Sequence, residues 1–335
     1  MKLFSLPISI VILSLFYLMS NAQTSRPVLD IMLSNYQYPY KVQYLNFKSQ
    51  GEHLKMAYMD VQPQTTNGHT VVLLHGKNFN GAYWKTTIQA LNQAGYRVIV
   101  PDQIGFGKSS KPIAYQFSFQ QLAENTKFLL NSLKLNKIYL LGHSMGGMLA
   151  TRFSLMYPEM VDKLILENPI GLEDWKLVAP YTSIDQNYQT ELKTDYESVR
   201  KYQNAFYYDN KWKPEYDEWV YLLSGWTKAS DYPTVALVNA KTTDMIFTQP
   251  VVYEFQHIKA ATLLIIGTRD RTAIGKNTVK DPQLASKMGL YQHLGKETQQ
   301  KIKGSKLVEL DNVGHLPHIE VFDRFIQPLI SFLQD

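Results

Sequence analysis

Short apolar runs alternate with longer stretches of helical periodicity along most of this chain. Residues 42–47 and 53–61 alternate apolar with polar positions, which predicts an opening antiparallel pair of strands. The run Thr70–Leu74 (TVVLL) is apolar and rich in β-branched residues, as a strand buried on both faces requires. The same reasoning predicts further strands at 97–100, 137–141, 163–167, 262–266 and 306–310, and helices at 82–94, 119–133, 145–157 and 317–333.

This alternation predicts an α/β fold with a doubly wound, mostly parallel β-sheet and right-handed crossovers. It is interrupted at residues 171–250, which hold four of the five tryptophans and many tyrosines. We interpret that interval as an inserted helical cap, or lid, on the carboxyl side of the sheet, where open α/β sheets bind ligands. An ordinary helical subdomain whose aromatic side chains fill its own core is the alternative. The predicted core therefore has two parts, at residues 23–170 and 251–335.

The first 22 residues have the pattern of a secretory signal peptide. Lys2 precedes an apolar stretch that reaches Met19, and Ser20 and Ala22 are small residues at the positions that a signal peptidase reads. We predict cleavage after Ala22 and export to the periplasm or the medium; an uncleaved membrane anchor is the alternative. No other segment has a run of about 18 apolar residues, so we expect no stable membrane insertion after cleavage.

Composition and charge exclude several kinds of chemistry. The 335 residues include no cysteine, which removes thiol nucleophiles, thiolate metal sites and disulfides. The formal net charge is +5, but Lys and Arg are scattered among the acidic residues, so we expect no nucleic-acid partner. Histidine and acidic residues show no metal-ligand spacing, and the P-loop-like segment 105–109 has Asp102 where the first glycine would stand. We therefore predict neither a metal nor a cofactor.

The strongest motif is G-x-S-x-G at residues 142–146, between a predicted strand and a predicted helix. This context is that of a nucleophile elbow, in which a sharp turn lifts the serine hydroxyl above the sheet edge. Such a turn needs neighbours without a Cβ, and Gly142 and Gly146 supply them. Ser144 is therefore the candidate nucleophile, and the backbone N–H of Met145 is a candidate oxyanion donor.

A serine nucleophile needs a base and an acid that orients the base, in the chain order Ser, Asp or Glu, His. Asp270 and His315 each follow a predicted strand in that order. His318 is the rival base, and Asp102 and Glu167 are the rival acids, since each of these two also ends a strand.

The loop after the strand Thr70–Leu74 reads HGKNF, and a second oxyanion donor is expected there. Gly76 allows the backbone to approach closely, which makes the N–H of Lys77 the first candidate and that of Asn78 the second. The alternative is that His75 and Gly76 only shape the turn.

Five segments occur in this order: LLHGKNFNGAYW, VPDQIGFGKSSKP, LLGHSMGG, GTRDRTA and GHLPHIE. Together they resemble α/β-hydrolase fold enzymes with a helical lid, over about residues 42–333. The resemblance implies Ser144, His315 and Asp270 as a catalytic triad and Lys77 and Met145 as the oxyanion hole. It favours a serine esterase acting on a small-molecule, ester-like substrate with a small or medium apolar acyl group. A lactonase, a carbon–carbon bond hydrolase and a non-catalytic ligand-binding protein are the alternatives.

Overall fold

The computed structural model describes residues 26–335. The predicted signal peptide and its cleavage after Ala22 lie outside the described residues and stay predictions.

Eight strands of the described residues form one sheet in the order β1-β2-β4-β3-β5-β6-β7-β8. Strand β2 pairs antiparallel with both β1 and β4, whereas the neighbouring strands from β4 through β8 pair in parallel. The predicted opening antiparallel pair and the doubly wound, mostly parallel sheet are therefore confirmed. The strands are β1 (Val42–Ser49), β2 (Glu52–Val61), β3 (Thr70–Leu74), β4 (Arg97–Pro101), β5 (Ile138–His143), β6 (Val161–Glu167), β7 (Ala261–Gly267) and β8 (Lys306–Leu310).

The apolar runs of the central strands are explained by burial on both sheet faces. In β3, Val72 and Leu74 pack into one apolar cluster, and Val71 and Leu73 pack into the cluster on the opposite face. This division follows from the period of two in a strand, which sends successive side chains to opposite faces. Full burial of each such side chain contributes roughly 1.5–3 kcal/mol, which is why a wholly apolar run is retained here.

Among residues 26–335, α-helices of the core occur at or near the predicted positions 82–94, 119–133 and 145–157, whereas those at Pro282–Lys287 and Tyr291–Lys301 were not predicted. The final predicted helix is an exception, because the chain has φ −142° at Val321 and forms two helices instead of one. The first of these is tied to the preceding loop by Glu320, whose carboxylate accepts from the Gly314 N–H at 2.7 Å and pairs with Arg269. The helices are α1 (Lys85–Gln93), α2 (Phe119–Ser132), α3 (Met145–Met156), α4 (Ile184–Glu191), α5 (Tyr196–Phe206), α6 (Asp217–Ser224), α7 (Tyr232–Thr248), α8 (Pro282–Lys287), α9 (Tyr291–Lys301), α10 (Pro317–Glu320) and α11 (Phe322–Gln334).

Residues 171–250, called the cap segment below, contain helices α4 to α7. Much of their aromatic content packs internally: the rings of Tyr208 and Tyr216 stack with centroids 3.6 Å apart, and Trp175 and Trp226 are buried. Tyr207 is different, because its ring stacks on His315 of the core. The division of the chain at residues 170 and 250 into separate units stays a prediction. No helix among residues 26–335 is long and apolar enough to cross a membrane.

Candidate active site

Ser144 lies in a sharp turn between β5 and α3, with φ 57° and ψ −122°. A Cβ on Gly142 would lie 2.1 Å from the carbonyl oxygen of Gly146, and a Cβ on Gly146 would lie 2.1 Å from that of Leu74. Both distances are far inside van der Waals contact with backbone atoms that cannot move aside. Glycine is therefore required on both sides of the serine, as the steric interpretation of the motif expects.

Ser144, His315 and Asp270 meet at the carboxyl ends of β5, β8 and β7. The Ser144 Oγ lies 2.9 Å from His315 Nε2, and His315 Nδ1 lies 2.6 Å from Asp270 Oδ2. Asp270 and His315 are buried, and Ser144 is only 7% exposed. Three side chains from distant parts of the sequence thus form one continuous hydrogen-bonded line.

The carboxylate of Asp270 is held by more than His315. Thr272 donates to Oδ1 from its backbone N–H at 2.9 Å and from its hydroxyl at 2.7 Å, and Asn168 donates to Oδ2 at 2.8 Å. Burial by itself raises the pKa of Asp270, but the charge of His315 and these hydrogen bonds outweigh it, so the pKa lies below its ordinary value. Asp270 is therefore ionised and accepts a hydrogen bond from the Nδ1–H of His315.

Sequence reasoning missed Asn168 and Thr272. Thr272 stands two residues after an aspartate in a loop, a spacing typical of Asp side chains that bond to the backbone two residues on, so a local signal existed. Asn168 had no such signal, because it is 102 residues from Asp270 in the chain. It follows β6 and also accepts from the Gly267 N–H at 2.8 Å, which ties the ends of two neighbouring strands together.

The rival base and one rival acid pair with each other instead of with the serine. His318 Nδ1 lies 2.8 Å from Glu167 Oε1, and the His318 backbone N–H donates to the same oxygen at 2.9 Å. The ring of Trp84 stacks on His318 with centroids 4.3 Å apart. This second buried pair makes no hydrogen bond to the side chains of Ser144, His315 or Asp270.

The other rival acid, Asp102, shapes the loop after β4. Its carboxylate accepts from the Gly81 N–H, the Lys108 N–H and the Tyr38 hydroxyl, each at 2.7 Å. All of these donors come from outside the group formed by Ser144, His315 and Asp270. Asp102 is accordingly a structural carboxylate.

The HGKNF loop after β3 lies beside the serine, since a Cβ on Gly76 would be 3.0 Å from the Ser144 Cβ. No hydrogen bond from the Lys77 N–H is found within residues 26–335. Met145 is the first residue of α3, where N–H groups have no partner inside the helix. These two N–H groups are the candidate oxyanion donors, whereas the side chain of Asn78 donates to the Tyr207 hydroxyl at 3.2 Å.

A chain of buried hydrogen bonds, which sequence reasoning missed, links this loop to His143 beside Ser144 and to the loop that carries His315. The Gly76 N–H donates to the Tyr83 hydroxyl at 3.0 Å, and that hydroxyl lies 3.0 Å from His143 Nδ1. His143 Nε2 lies 2.7 Å from the backbone carbonyl of His315. A carbonyl only accepts, so Nε2 carries the proton, and Tyr83 must then donate to Nδ1. Burial, together with His315 and His318, holds the pKa of His143 well below its usual value, which keeps the ring neutral.

The cap segment is in contact with this site. The ring of Tyr207 stacks on His315 with centroids 5.0 Å apart at 26°, and Lys77 pairs with Glu191 of α4 at 3.3 Å. Among residues 26–335, no group of three or more His, Asp and Glu side chains is arranged to hold a metal ion.

Comparisons with known proteins agree with this fold. A family model described as the alpha/beta hydrolase fold matches residues 69–321. A crystal structure described as a probable hydrolytic enzyme from Pseudomonas aeruginosa PAO1 is 49% identical, covers 92% of this chain and 99% of its own, and has a TM-score of 0.91. An esterase from Exiguobacterium antarcticum is 22% identical, covers 84% of this chain and 97% of its own, and has a TM-score of 0.64, which shows the fold alone.

Among curated relatives, the 2-hydroxy-6-oxo-6-phenylhexa-2,4-dienoate hydrolase of Comamonas testosteroni is 32% identical over 146 residues, which are 42% of this chain and 51% of that protein. The 2-hydroxy-6-oxononadienedioate/2-hydroxy-6-oxononatrienedioate hydrolase of Paraburkholderia phymatum is 36% identical over 126 residues, which are 37% and 43% of the two chains. The chain thus spans about half the length of the curated relatives that it matches.

Proposed function

Because this chain belongs to the α/β-hydrolase fold family, we propose that it is a serine hydrolase that cleaves small carboxylic esters through an acyl-enzyme. The observation that carries the proposal is the line Ser144–His315–Asp270, with 2.9 Å and 2.6 Å between the hydrogen-bonded atoms. A nucleophile within hydrogen-bond distance of a base, and a base oriented by an ionised acid, are what acyl transfer requires.

In the first half of the reaction, His315 Nε2 takes the hydroxyl proton of Ser144 while Oγ attacks the ester carbonyl. The negative charge that develops on the carbonyl oxygen is stabilised by the N–H groups of Met145 and Lys77. Collapse of the tetrahedral intermediate breaks the bond to the alcohol, which leaves with the proton from His315. Asp270 stays ionised and holds the imidazole in the tautomer that has its proton on Nδ1.

In the second half, water hydrolyses the acyl-enzyme with His315 again as base, and Ser144 regains its proton. A lactone is a cyclic ester, so the same steps would open one. The Comamonas relative favours a second candidate, since the compound in its name carries a ketone and a carboxylate rather than an ester. Hydrolysis of such a compound breaks a carbon–carbon bond.

The test compares the wild-type protein with Ser144→Ala on para-nitrophenyl esters and with a fluorophosphonate probe. We expect the wild type to react with the probe and to turn over esters, and Ser144→Ala to do neither while it keeps the wild-type melting temperature. Ester turnover by Ser144→Ala at the wild-type rate would refute the assignment. A wild type that neither labels nor cleaves esters would favour the ligand-binding alternative.

Export is part of the same proposal. The apolar amino-terminal stretch that reaches Met19, followed by the small residues Ser20 and Ala22, supports cleavage and release to the periplasm or the medium. Amino-terminal sequencing of the protein recovered from that fraction should give Gln23 as the first residue. A mature protein that begins at Met1 would favour the membrane anchor.

A further inference from the structure

A cavity of about 320 Å³ lies between the cap segment and the loop that follows Asp270. One wall is formed by residues 271–278 of that loop, and the other walls come from α4, α5, α7 and the approach to α4. Its volume falls at the lower end of the range for small-molecule sites. The cavity could therefore hold a short chain with one polar group.

The cavity shares its wall with the candidate active site. Thr272 lines the cavity, and its hydroxyl lies 2.7 Å from Asp270 Oδ1 and 3.2 Å from His315 Nδ1. Tyr202 also lines the cavity, and its ring packs against that of Tyr207 with centroids 5.4 Å apart. Tyr207 is the residue that stacks on His315. On the first route Thr272 alone separates the cavity from the imidazole, and on the second Tyr202 and Tyr207 do so together.

Two cations line this cavity, Arg271 and Lys276, and neither has an ion-pair partner in the described part of the chain. Arg271 uses Nη1 to donate to the carbonyls of Thr268 at 3.0 Å and Asp270 at 2.6 Å, and Lys276 Nζ donates to the Met288 carbonyl at 2.8 Å. Neither forms an ion pair with a carboxylate anywhere in residues 26–335. The Nε and Nη2 atoms of Arg271 make no hydrogen bond in the same part of the chain.

The nearby carboxylates are already engaged. Asp270 is bound by His315, Thr272 and Asn168, as described above. Glu173, the acidic group that acts electrostatically on Lys276, accepts from the Gly289 N–H at 2.8 Å and from Trp175 at 3.2 Å. The cavity wall therefore carries a net positive charge from Arg271 and Lys276, which are both half-buried.

We propose that this cavity binds a carboxylate carried by the acyl part of the substrate, with Arg271 and Lys276 as its cationic partners. The inference rests on the proposed ester hydrolysis and narrows it to esters whose acyl chain ends in a negative charge. A guanidinium offers a planar set of donors that matches a carboxylate, and an ammonium adds a point charge. Phe206 and Phe247 line the same cavity and supply apolar contact for the chain between the ester and the carboxylate.

The kinetic test uses two esters of equal acyl length, para-nitrophenyl valerate and the para-nitrophenyl monoester of glutarate. We expect the wild type to prefer the glutarate ester, and Lys276→Met to lower the ratio of kcat/KM for glutarate to valerate about tenfold or more, the range for one lost hydrogen bond to a charged group. Lys276→Glu should lower the ratio further. Lys280→Met is the matched control, since Lys280 is exposed, lies near the same loop and does not line the cavity.

A binding measurement separates failure of the inference from failure of the proposed function. Glutarate should bind to Ser144→Ala in calorimetry, and the added Lys276→Met substitution should abolish that binding. If both esters are cleaved but Lys276→Met leaves the ratio at its wild-type value, the carboxylate site is refuted and the esterase stands. If neither ester is cleaved but glutarate binds through Lys276, the site stands and the esterase is refuted. Absence of both glutarate binding and glutarate preference would overturn the inference.

Discussion

The hydroxyl of Tyr83 is the most informative single group to remove, because it joins two buried polar groups. It accepts from the Gly76 N–H and donates to His143 Nδ1, with 3.0 Å in each contact, and the residue is only 3% exposed. Burial raises the pKa of Tyr83 well above its ordinary value, so the group is a neutral hydroxyl at every working pH. Tyr83→Phe removes that oxygen and leaves the ring in place.

The expected cost follows from the two partners left behind. Each buried polar group that loses its hydrogen bond costs about 1–3 kcal/mol, so the loss of both contacts in Tyr83→Phe should lower the free energy of unfolding by about 2–6 kcal/mol. The loop at Gly76 would also lose one of its anchors to the elbow. Because that loop carries the Lys77 N–H, kcat should fall as well, with a smaller change in KM.

Tyr208→Phe is the matched control. Tyr208 is 1% exposed, and its hydroxyl has no hydrogen-bond partner within residues 26–335. Removal of an unsatisfied buried hydroxyl should cost less than about 0.5 kcal/mol or stabilise the protein. The two variants thus remove the same hydroxyl from a buried tyrosine, but only Tyr83→Phe is expected to lower the free energy of unfolding substantially.

Urea unfolding followed by tryptophan fluorescence gives the free energy of unfolding of both variants, provided that their denaturant slopes agree with that of the wild type. The reasoning would be refuted if the two variants had the same free energy of unfolding within about 0.5 kcal/mol, since the loss of two hydrogen bonds should exceed that. An unchanged kcat in Tyr83→Phe would show that the loop keeps its position without this chain of hydrogen bonds.

Three further predictions test the acid, its rival and the elbow. Asp270→Asn should lower kcat for para-nitrophenyl esters by about 10³–10⁴-fold, because the amide no longer holds the required tautomer of His315. Since the folded pKa of Asp270 is lowered, its stabilising contribution is present above the unfolded value near 4 and is lost as the pH falls through the folded value. The gap in unfolding free energy between wild type and Asp270→Asn should accordingly shrink in acid urea titrations; a constant gap would contradict the assigned shift. Glu167→Gln should keep kcat within about tenfold, because Glu167 pairs with another histidine, and a loss equal to that of Asp270→Asn would make Glu167 the functional acid. Gly146→Ala places a Cβ 2.1 Å from the Leu74 carbonyl oxygen and should cost about 3 kcal/mol or more, whereas a wild-type melting temperature would disprove the steric argument.

The residues that the sequence could identify are those with local signals. Ser144 stands in the five-residue pattern G-x-S-x-G between a strand and a helix, and Asp270 and His315 each follow an apolar strand. Parallel strands bring their carboxyl ends to one edge, so three residues far apart in the chain could be expected to meet. The family resemblance rests on the same segments and is confirmed by the match over residues 69–321.

The residues that sequence reasoning missed act through contacts between distant segments. Tyr83 and His143 are 60 residues apart, and nothing in the local pattern around Tyr83 marks it as a partner of the elbow. The break at Val321 was missed for a related reason, because the helical periodicity continues through it. The contact that holds α10 in place comes from Arg269 and Gly314, which lie outside the helix pattern.

The steric restriction at the elbow also bears on how such a protein can change over evolution. Gly142 and Gly146 press against backbone atoms, so no side chain at those positions could be accommodated by compensating changes in neighbouring side chains. The cavity wall is made instead of side chains from the cap segment and from the loop after β7. If the cavity binds the acyl part of the substrate as proposed, variation there alters which molecule is admitted while Ser144 stays fixed. The fold thus keeps its reactive centre constant and leaves its choice of substrate open to mutation.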